Sequence, residues 1–379
     1  MAELTQELAE YFRQGNSFET ITQARSWAGE KLGKKIAPGT QEAKELEETM
    51  EEALVEVGKE IIADSEDETS AYRSLVDLYQ RQPRLGTRTS NSVSNQAYST
   101  PLPIAYLANR LAGVGKGDSV YEPSAGNGAL LLESNPQKVV ANELDSNRAR
   151  ALQNQGYETT TFDATSYNPS EKVDVVLANP PFGRVKEKDG SNKSWDVDKY
   201  RTQEIDHAIS LNALSSLKDD GRAVLIIGGV KGIDPEARGK AYNSRQNRAF
   251  FKSLYDDYNV TEHFSLDGSL YNRQGANYPI DIIAIDGKRK SALPYPAADV
   301  PPVYSSFAEI EKEVLTQYVS RESELLDTNR RGDRSFISSG NRSMDSNRTA
   351  QGLSPNTYPE RLSESSVEES RASNFTAQQ

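Results

Sequence analysis

The chain of 379 residues has no cysteine. That excludes disulfides, thiolate metal sites and a cysteine nucleophile, and it fits a reducing cytoplasm. Histidine is almost as scarce. His207 and His263 stand alone without metal-ligand spacing, so each reads as a satisfied structural residue and no metal is expected. Long apolar runs are missing too. No stretch approaches the roughly 20 residues of a membrane span. Met1-Ala2-Glu3-Leu4 lacks the basic and apolar regions of a signal peptide, so no membrane partner is expected. Positive charge is in deficit, with 44 Lys and Arg against 56 Asp and Glu and a net charge of −12. The deficit is uneven. Residues 1–86 hold 10 basic and 18 acidic side chains, 87–292 hold 25 of each, and 293–379 hold 9 and 13. The middle region is neutral, and contact with phosphates needs a local basic patch rather than a basic protein.

What is present is concentrated at strand ends. Val173-Asp174-Val175-Val176-Leu177-Ala178 is short and β-branched and reads as a buried parallel strand. Asn179-Pro180-Pro181-Phe182 ends it, because neither proline continues a ladder or enters a helix interior. The turn offers a side-chain oxygen on Asn179 and a backbone carbonyl on Pro180, both acceptors, beside the flat face of Phe182. An amino group on an aromatic base is the natural partner of that set. A second strand, 118–121, leads into Glu122-Pro123-Ser124-Ala125-Gly126-Asn127-Gly128 and a helical run, 129–133. Glycines at such a turn let backbone approach a ligand. The spacing is neither GxGxxG nor a P-loop. A strand at 138–142 ends in Glu143, placed for ribose hydroxyls. Another, at 158–162, ends in Asp163, placed for an adenine amine. The ligand implied is a nucleoside without a pyrophosphate.

In order and spacing these segments resemble the γ-type adenine-N6 DNA methyltransferases, which use S-adenosyl-L-methionine. The family's first cofactor motif falls on Glu122, Pro123, Ser124, Ala125, Gly126 and Gly128. Its ribose-binding acid falls on Glu143, its adenine-contacting acid on Asp163, and its catalytic motif on Asn179, Pro180, Pro181 and Phe182, with Asn179 also facing the cofactor. The γ-type segment ahead of the first motif falls on Gln96 to Pro101 and offers Tyr98, Thr100 and Pro101. The chain is also similar to the methylase region found with Strawberry-notch-type helicases in phage and plasmid antirestriction proteins, over roughly residues 70 to 290. The resemblance implies site-specific, adenine-specific DNA methylation, with the target base flipped out and stacked on Phe182. A fused or associated helicase or specificity component is an implied partner. The implied fold is α/β, a Rossmann-like seven-stranded methyltransferase sheet with a helical N-terminal extension and a disordered C-terminal tail.

The chain divides into an acidic helical region (1–86), the methyltransferase domain (87–292), a proline-marked linker with one helix (293–326) and a polar low-complexity tail (327–379) that cannot bury enough surface to order. Residues 42–62 carry an apolar stripe opposite a Glu-rich face, an amphipathic bundle helix or a docking helix. Strands are expected also at 222–228, 260–266 and 281–286, the last two paired around a 267–279 loop. Helices are expected at 205–217 and 250–258. Two basic loops follow strand ends and suit nucleic acid. One offers Arg184, Lys186, Lys193 and Trp195, the other Lys231 and Arg245. Arg273 and Gln274 could border a flipped base. Charge runs of this kind also serve as plain solvated faces. Two other chemistries share the Asn-Pro-Pro-aromatic turn, guanine-N2 methylation in RNA and glutamine methylation in protein. A further alternative is a non-catalytic cofactor- or DNA-binding antirestriction module acting through the acidic helices.

Overall fold

The computed structural model describes residues 2–86, 99–197 and 200–321. Tyr98 and the tail expected at 327–379 lie outside them.

Strand β4 (Val173–Ala178) shows how the sheet is built. Val175 and Leu177 enter one core cluster, while Val176 and Ala178 enter the other. Successive strand residues point to opposite faces, so the unbroken apolar run 175–178 demands cover on both sides. Strand β7 (Leu217–Gly228) repeats the pattern: Val224 and Ile226 face the first cluster, Ala223, Leu225 and Ile227 the second. The remaining strands of this sheet are β1 (Val120–Glu122), β2 (Val139–Asn142), β3 (Glu158–Thr160), β8 (Val260–Leu266), β9 (Ile280–Asp286) and β10 (Val303–Tyr304). A separate hairpin joins β5 (Trp195–Val197) to β6 (Tyr200–Thr202).

The eight strands of the large sheet lie in the order β10-β8-β9-β7-β4-β1-β2-β3. Pairing is parallel from β3 through β7, and β9 runs antiparallel between β7 and β8. From β1 the chain steps outward to β2 and β3, then returns to β4 on the other side of β1. In such a sheet the ligand crevice opens at the carboxyl ends of the strands, at that reversal. This is the Rossmann-like α/β architecture that the resemblance implies. The eighth strand is additional: β10 pairs with β8 from within the segment read as a linker. Leu293, Tyr295, Ala297 and Val300 of the same segment pack on the second cluster.

Helices α1 (Ala2–Arg13), α2 (Ile21–Leu32), α3 (Gln41–Asp64), α4 (Glu68–Arg81) and α5 (Leu102–Leu111) contribute to the first cluster. Thr40 starts α3 by accepting a hydrogen bond from the Ala43 N–H, and Leu46, Met50, Ala53, Leu54 and Val57 form its buried stripe. Helix α6 (Ser146–Asn154) follows β2. Helices α7 (Ile205–Leu214), α8 (Pro235–Tyr242) and α9 (Arg245–Asp257) supply the second cluster. A last helix, α10 (Phe307–Ile310), runs on through a π-helical turn to residue 321.

Several expected elements differ: the helix read at 205–217 stops at Leu214, and the one read at 250–258 begins at Arg245. The run 129–133 makes only a 3-10 turn, Ala129–Leu131, with Asn109 capturing the Leu130 carbonyl, and a separate 3-10 turn begins at Pro136. Strand β7 begins at Leu217 rather than Arg222. Its first residues, Lys218-Asp219-Asp220-Gly221, are polar and pass a register irregularity opposite Val173 and Val175, so they carry no strand alternation.

Candidate active site

The carboxyl ends of β1, β2, β3, β4 and β7 surround one cavity of about 1230 Å³. That exceeds the roughly 300–1,000 Å³ of an ordinary small-molecule site, which leaves room for two ligands side by side.

One end is built from β1, β2 and β3. Gly126 (φ 55°) and Gly128 (φ 86°) take left-handed conformations that side-chain-bearing residues avoid, and so the chain can double back after Glu122. The Glu143 carboxylate bridges two turns, accepting from the Gly126 N–H and the Asp145 N–H at 2.8 Å each. Asn142, 1% exposed, locks three strand ends together. Its amide donates to the carbonyls of Pro123 and Phe162, and its oxygen accepts from the Phe162 N–H and the Thr160 hydroxyl. Asp163 accepts from the Thr165 N–H and hydroxyl, which fixes it at the rim. Glu122 is buried. Burial, then the neighbouring Glu143 charge, pushes its carboxyl well above the usual carboxylate range.

The other end is the Asn179 turn. The Asn179 amide donates to the Thr100 hydroxyl oxygen at 2.7 Å, so Oδ1 remains the amide atom for an incoming donor. Phe182 is half-buried against the first cluster and lines the cavity. The turn is tied down behind: the Ile205 N–H donates to Gly183 O, and Asp206 accepts from the Gly228 N–H at 2.9 Å. Burial raises the Asp206 carboxyl to about 6 and lowers the next residue, His207, whose ring stacks on Phe250, to about 4.

Several buried polar atoms on the cavity wall have no hydrogen-bond partner among the described residues. At the β1 end these are Glu122 Oε2, Ser124 Oγ and Asn127 Oδ1; at the β4 end they are Asp206 Oδ1, His207 Nδ1 and Tyr271 Oη. Buried polar groups are ordinarily satisfied. Unsatisfied sets at both ends fit polar ligands at both ends, and the β1 set suits the hydroxyls and amine of a nucleoside amino acid.

The cavity brings together Thr100, Glu122, Pro123, Ser124, Ala125, Gly126, Glu143, Asp163, Asn179, Pro180, Pro181 and Phe182. Pro101 and Gly128 do not line it. Pro101 caps α5 by accepting from the N–H groups of Ile104 and Ala105. Gly128 turns the chain under Leu152 and Gln155. Of the basic loops, Arg184, Lys186 and Lys231 reach the cavity. Arg184 is paired with Glu204 at 2.8 Å. Lys193 sits over the ring of Trp195, itself buried, and Arg245 is exposed at the start of α9. The Arg273 guanidinium donates to Gln82 O, at the end of α4, and Gln274 is buried; neither lines the cavity.

The sequence reading missed Leu144, Phe162 and Tyr278. All three line the cavity and stay 61%, 56% and 58% exposed. Leu144 and Phe162 flank the two acids, and an apolar side chain next to a strand-end acid was the available signal. Tyr278 comes from the 267–279 loop, with Lys231 Nζ 5.5 Å from its ring centroid. Asp206 had no signal, since its role depends on the distant Gly228.

No protein-family model matches the sequence, and no curated protein matches it. Among solved structures, the chain is similar to a modification subunit assigned to a type I restriction enzyme from Vibrio vulnificus. That match has 15% identity and a TM-score of 0.42, and covers 67% of this chain and 57% of the other. A class I S-adenosylmethionine-dependent methyltransferase assignment from Listeria monocytogenes matches at 14% identity and TM-score 0.41, covering 84% and 98%. The M protein of the type I restriction enzyme EcoKI matches at 14% and 0.38, covering 76% and 68%. The chain thus spans little more than half the length of the Vibrio subunit. Among the described residues no helix is long and apolar enough to cross a membrane.

Proposed function

We propose that this protein transfers a methyl group from S-adenosyl-L-methionine to the N6 amine of adenine in DNA. One observation carries the reading. An asparagine amide, oriented by Thr100 and flanked by Phe182, opens into the same cavity as the Glu122–Gly126 turn, Glu143 and Asp163.

The β1 end would hold the cofactor, with Glu143 toward the ribose and Asp163 toward the adenine amine. Leu144 and Phe162 would cover the two faces of that base. Bound there, the cofactor supplies an electrophilic methyl sulfonium. The adenine amine is a weak nucleophile, because its lone pair is delocalised into the ring. Asn179 Oδ1 and Pro180 O would accept its two hydrogens and draw the nitrogen toward tetrahedral geometry. Phe182 would stack the flipped base, and Tyr278 would stand at the lip beside Lys231. Alignment supplies most of the acceleration. The proton that the methylated nitrogen sheds leaves to solvent.

DNA is the proposed partner, held near the cavity by Arg184, Lys186 and Lys231. Lys193 and Arg245 would serve farther out, while Trp195, buried under Lys193, would support that loop rather than touch DNA. A helicase or specificity component, and a place in phage- or plasmid-type modification or antirestriction, follow from the resemblance and remain part of the proposal. So do the methyltransferase domain at 87–292 and the cytoplasmic location.

The test is incubation of the full chain with labelled cofactor and DNA, followed by nucleoside analysis. N6-methyladenine is expected. Asn179→Ala is expected to lower turnover on the order of 10²–10³-fold, the usual cost of removing a preorganised hydrogen-bonding group. Activity unaffected by Asn179→Ala, or methyl groups on guanine or on protein glutamine instead, would overturn the assignment.

A further inference from the structure

Helix α3 carries a second stripe opposite its apolar one. Gln41, Lys44, Glu48, Glu51 and Lys59 recur at three-, four- and eight-residue steps, which places them along one side of a helix. In the sequence this stripe is the Glu-rich face of an ordinary amphipathic helix. In the structure it faces the Glu122–Gly128 turn.

Asn127, between the two left-handed glycines, is 1% exposed. Glu51 Oε2 accepts from its side-chain amide at 2.7 Å and from the Ser99 hydroxyl at 2.5 Å. A single carboxylate oxygen therefore joins the first turn to the residue preceding Thr100. Lys59, two turns farther along α3, grips the same turn by another route. It donates to Gln155 Oε1 and to the Tyr157 hydroxyl, and Gln155 donates to Asn127 O at 3.2 Å. One turn before Glu51, Glu48 pairs with Arg148 at 3.3 Å and with Lys44 at 3.5 Å. Arg148 Nη1 lies 3.8 Å from where a side chain on Gly126 would begin. Gln41, Lys44, Glu48 and Arg148 all line the cavity.

We propose that α3 forms a wall of the cofactor site, with Glu51 as a positioning residue that holds the Asn127 turn against Ser99. The cluster of Lys44, Glu48 and Arg148 faces the amino-acid end of the cofactor, where an ammonium and a carboxylate need opposite charges. The inference rests on the cofactor reading above and adds to it that the N-terminal helices are part of the binding site.

Hydrogen exchange on the full chain, with and without S-adenosylhomocysteine, tests this. Binding is expected to slow exchange in 122–128 and also in 41–59. Protection of 122–128 with none in 41–59 would overturn the inference. Protection nowhere would overturn the cofactor reading itself. Calorimetric titration supplies the second readout. Glu51→Gln keeps one oxygen for both donors and is expected to bind within about threefold of wild type. Ser99→Ala, which severs one link at a half-buried position, is expected to bind about three- to tenfold more weakly. In turnover the cofactor KM rises, while kcat at saturation stays within twofold. Wild-type affinity in Ser99→Ala, or weakening that appears in kcat alone, would count against a positioning role.

Discussion

The hydroxyl of Thr100 decides what the substrate meets at residue 179. An asparagine amide is nearly symmetric in shape, and its two orientations present opposite chemistry. With Nδ2 donated to Thr100 at 2.7 Å, the oxygen is left to accept. Turned over, the amide would offer N–H groups to the amine proposed as substrate, which is itself a donor. Thr100→Val keeps the volume and removes the acceptor. One hydrogen bond is worth about 1 kcal/mol net, so kcat is expected to fall about fivefold, while cofactor affinity stays within twofold. Steady-state kinetics beside calorimetric titration separates the two. An unchanged kcat would show that the amide is oriented by something else. The resemblance placed Thr100 among the cofactor contacts, but its tie to Asn179 spans 79 positions and leaves no pattern in the sequence.

Among the elements, legibility followed burial. Strands apolar on both faces, such as β4, could be read to the residue, because no other setting suits them. Polar stripes could not be read so far. Periodicity shows that Glu48 and Glu51 lie away from the apolar side of α3, yet it cannot show that Arg148 and Asn127 await them. The amino end of α7 is similar: Asp206 and His207 look like a polar helix start, and both are buried at the cavity. Their protonation opposes. Unfolded histidine titrates at 6.5 and folded His207 at about 4, so the unfolded state binds more protons in that window. His207 therefore costs stability as pH falls from 6.5 to 4, by about 3 kcal/mol at most. Asp206 titrates at about 6 against 3.8 unfolded, so the folded state gains stability on acidification between those values. His207→Phe preserves stacking on Phe250 and removes one side of the opposition. Urea unfolding at several pH values is expected to show the wild type losing ground to this variant steadily below pH 6.5. A constant difference would mean that His207 is free to charge in the folded state.

For the whole molecule, net charge changes at residue 86 while the buried core runs straight across it. Leu46, Met50, Leu54, Leu75 and Leu78 of the N-terminal helices belong to the same cluster as Val175 and Ile226 of the central strands. Their acids also divide. Glu56 and Glu60 meet Arg13 at the surface, whereas Glu47 and Glu51 are buried, accepting from the Gly86 N–H and from Asn127. An acidic composition alone suggests a detachable charged arm, and nothing in a charge count reveals a shared interior. Each fully buried Leu or Met contributes about 1.5–3 kcal/mol, against a typical total stability of about 5–15 kcal/mol. Deleting residues 2–81 would strip at least five such side chains from the core and uncover the face they pack on. The shortened chain is expected to lose its native near-ultraviolet signal and cooperative melt, while the intact protein unfolds in one transition followed equally by fluorescence and backbone ellipticity. A truncated chain that melts cooperatively and binds S-adenosylhomocysteine at wild-type strength would show that the sheet is self-sufficient, and with it that α3 is an accessory to the site rather than one of its walls.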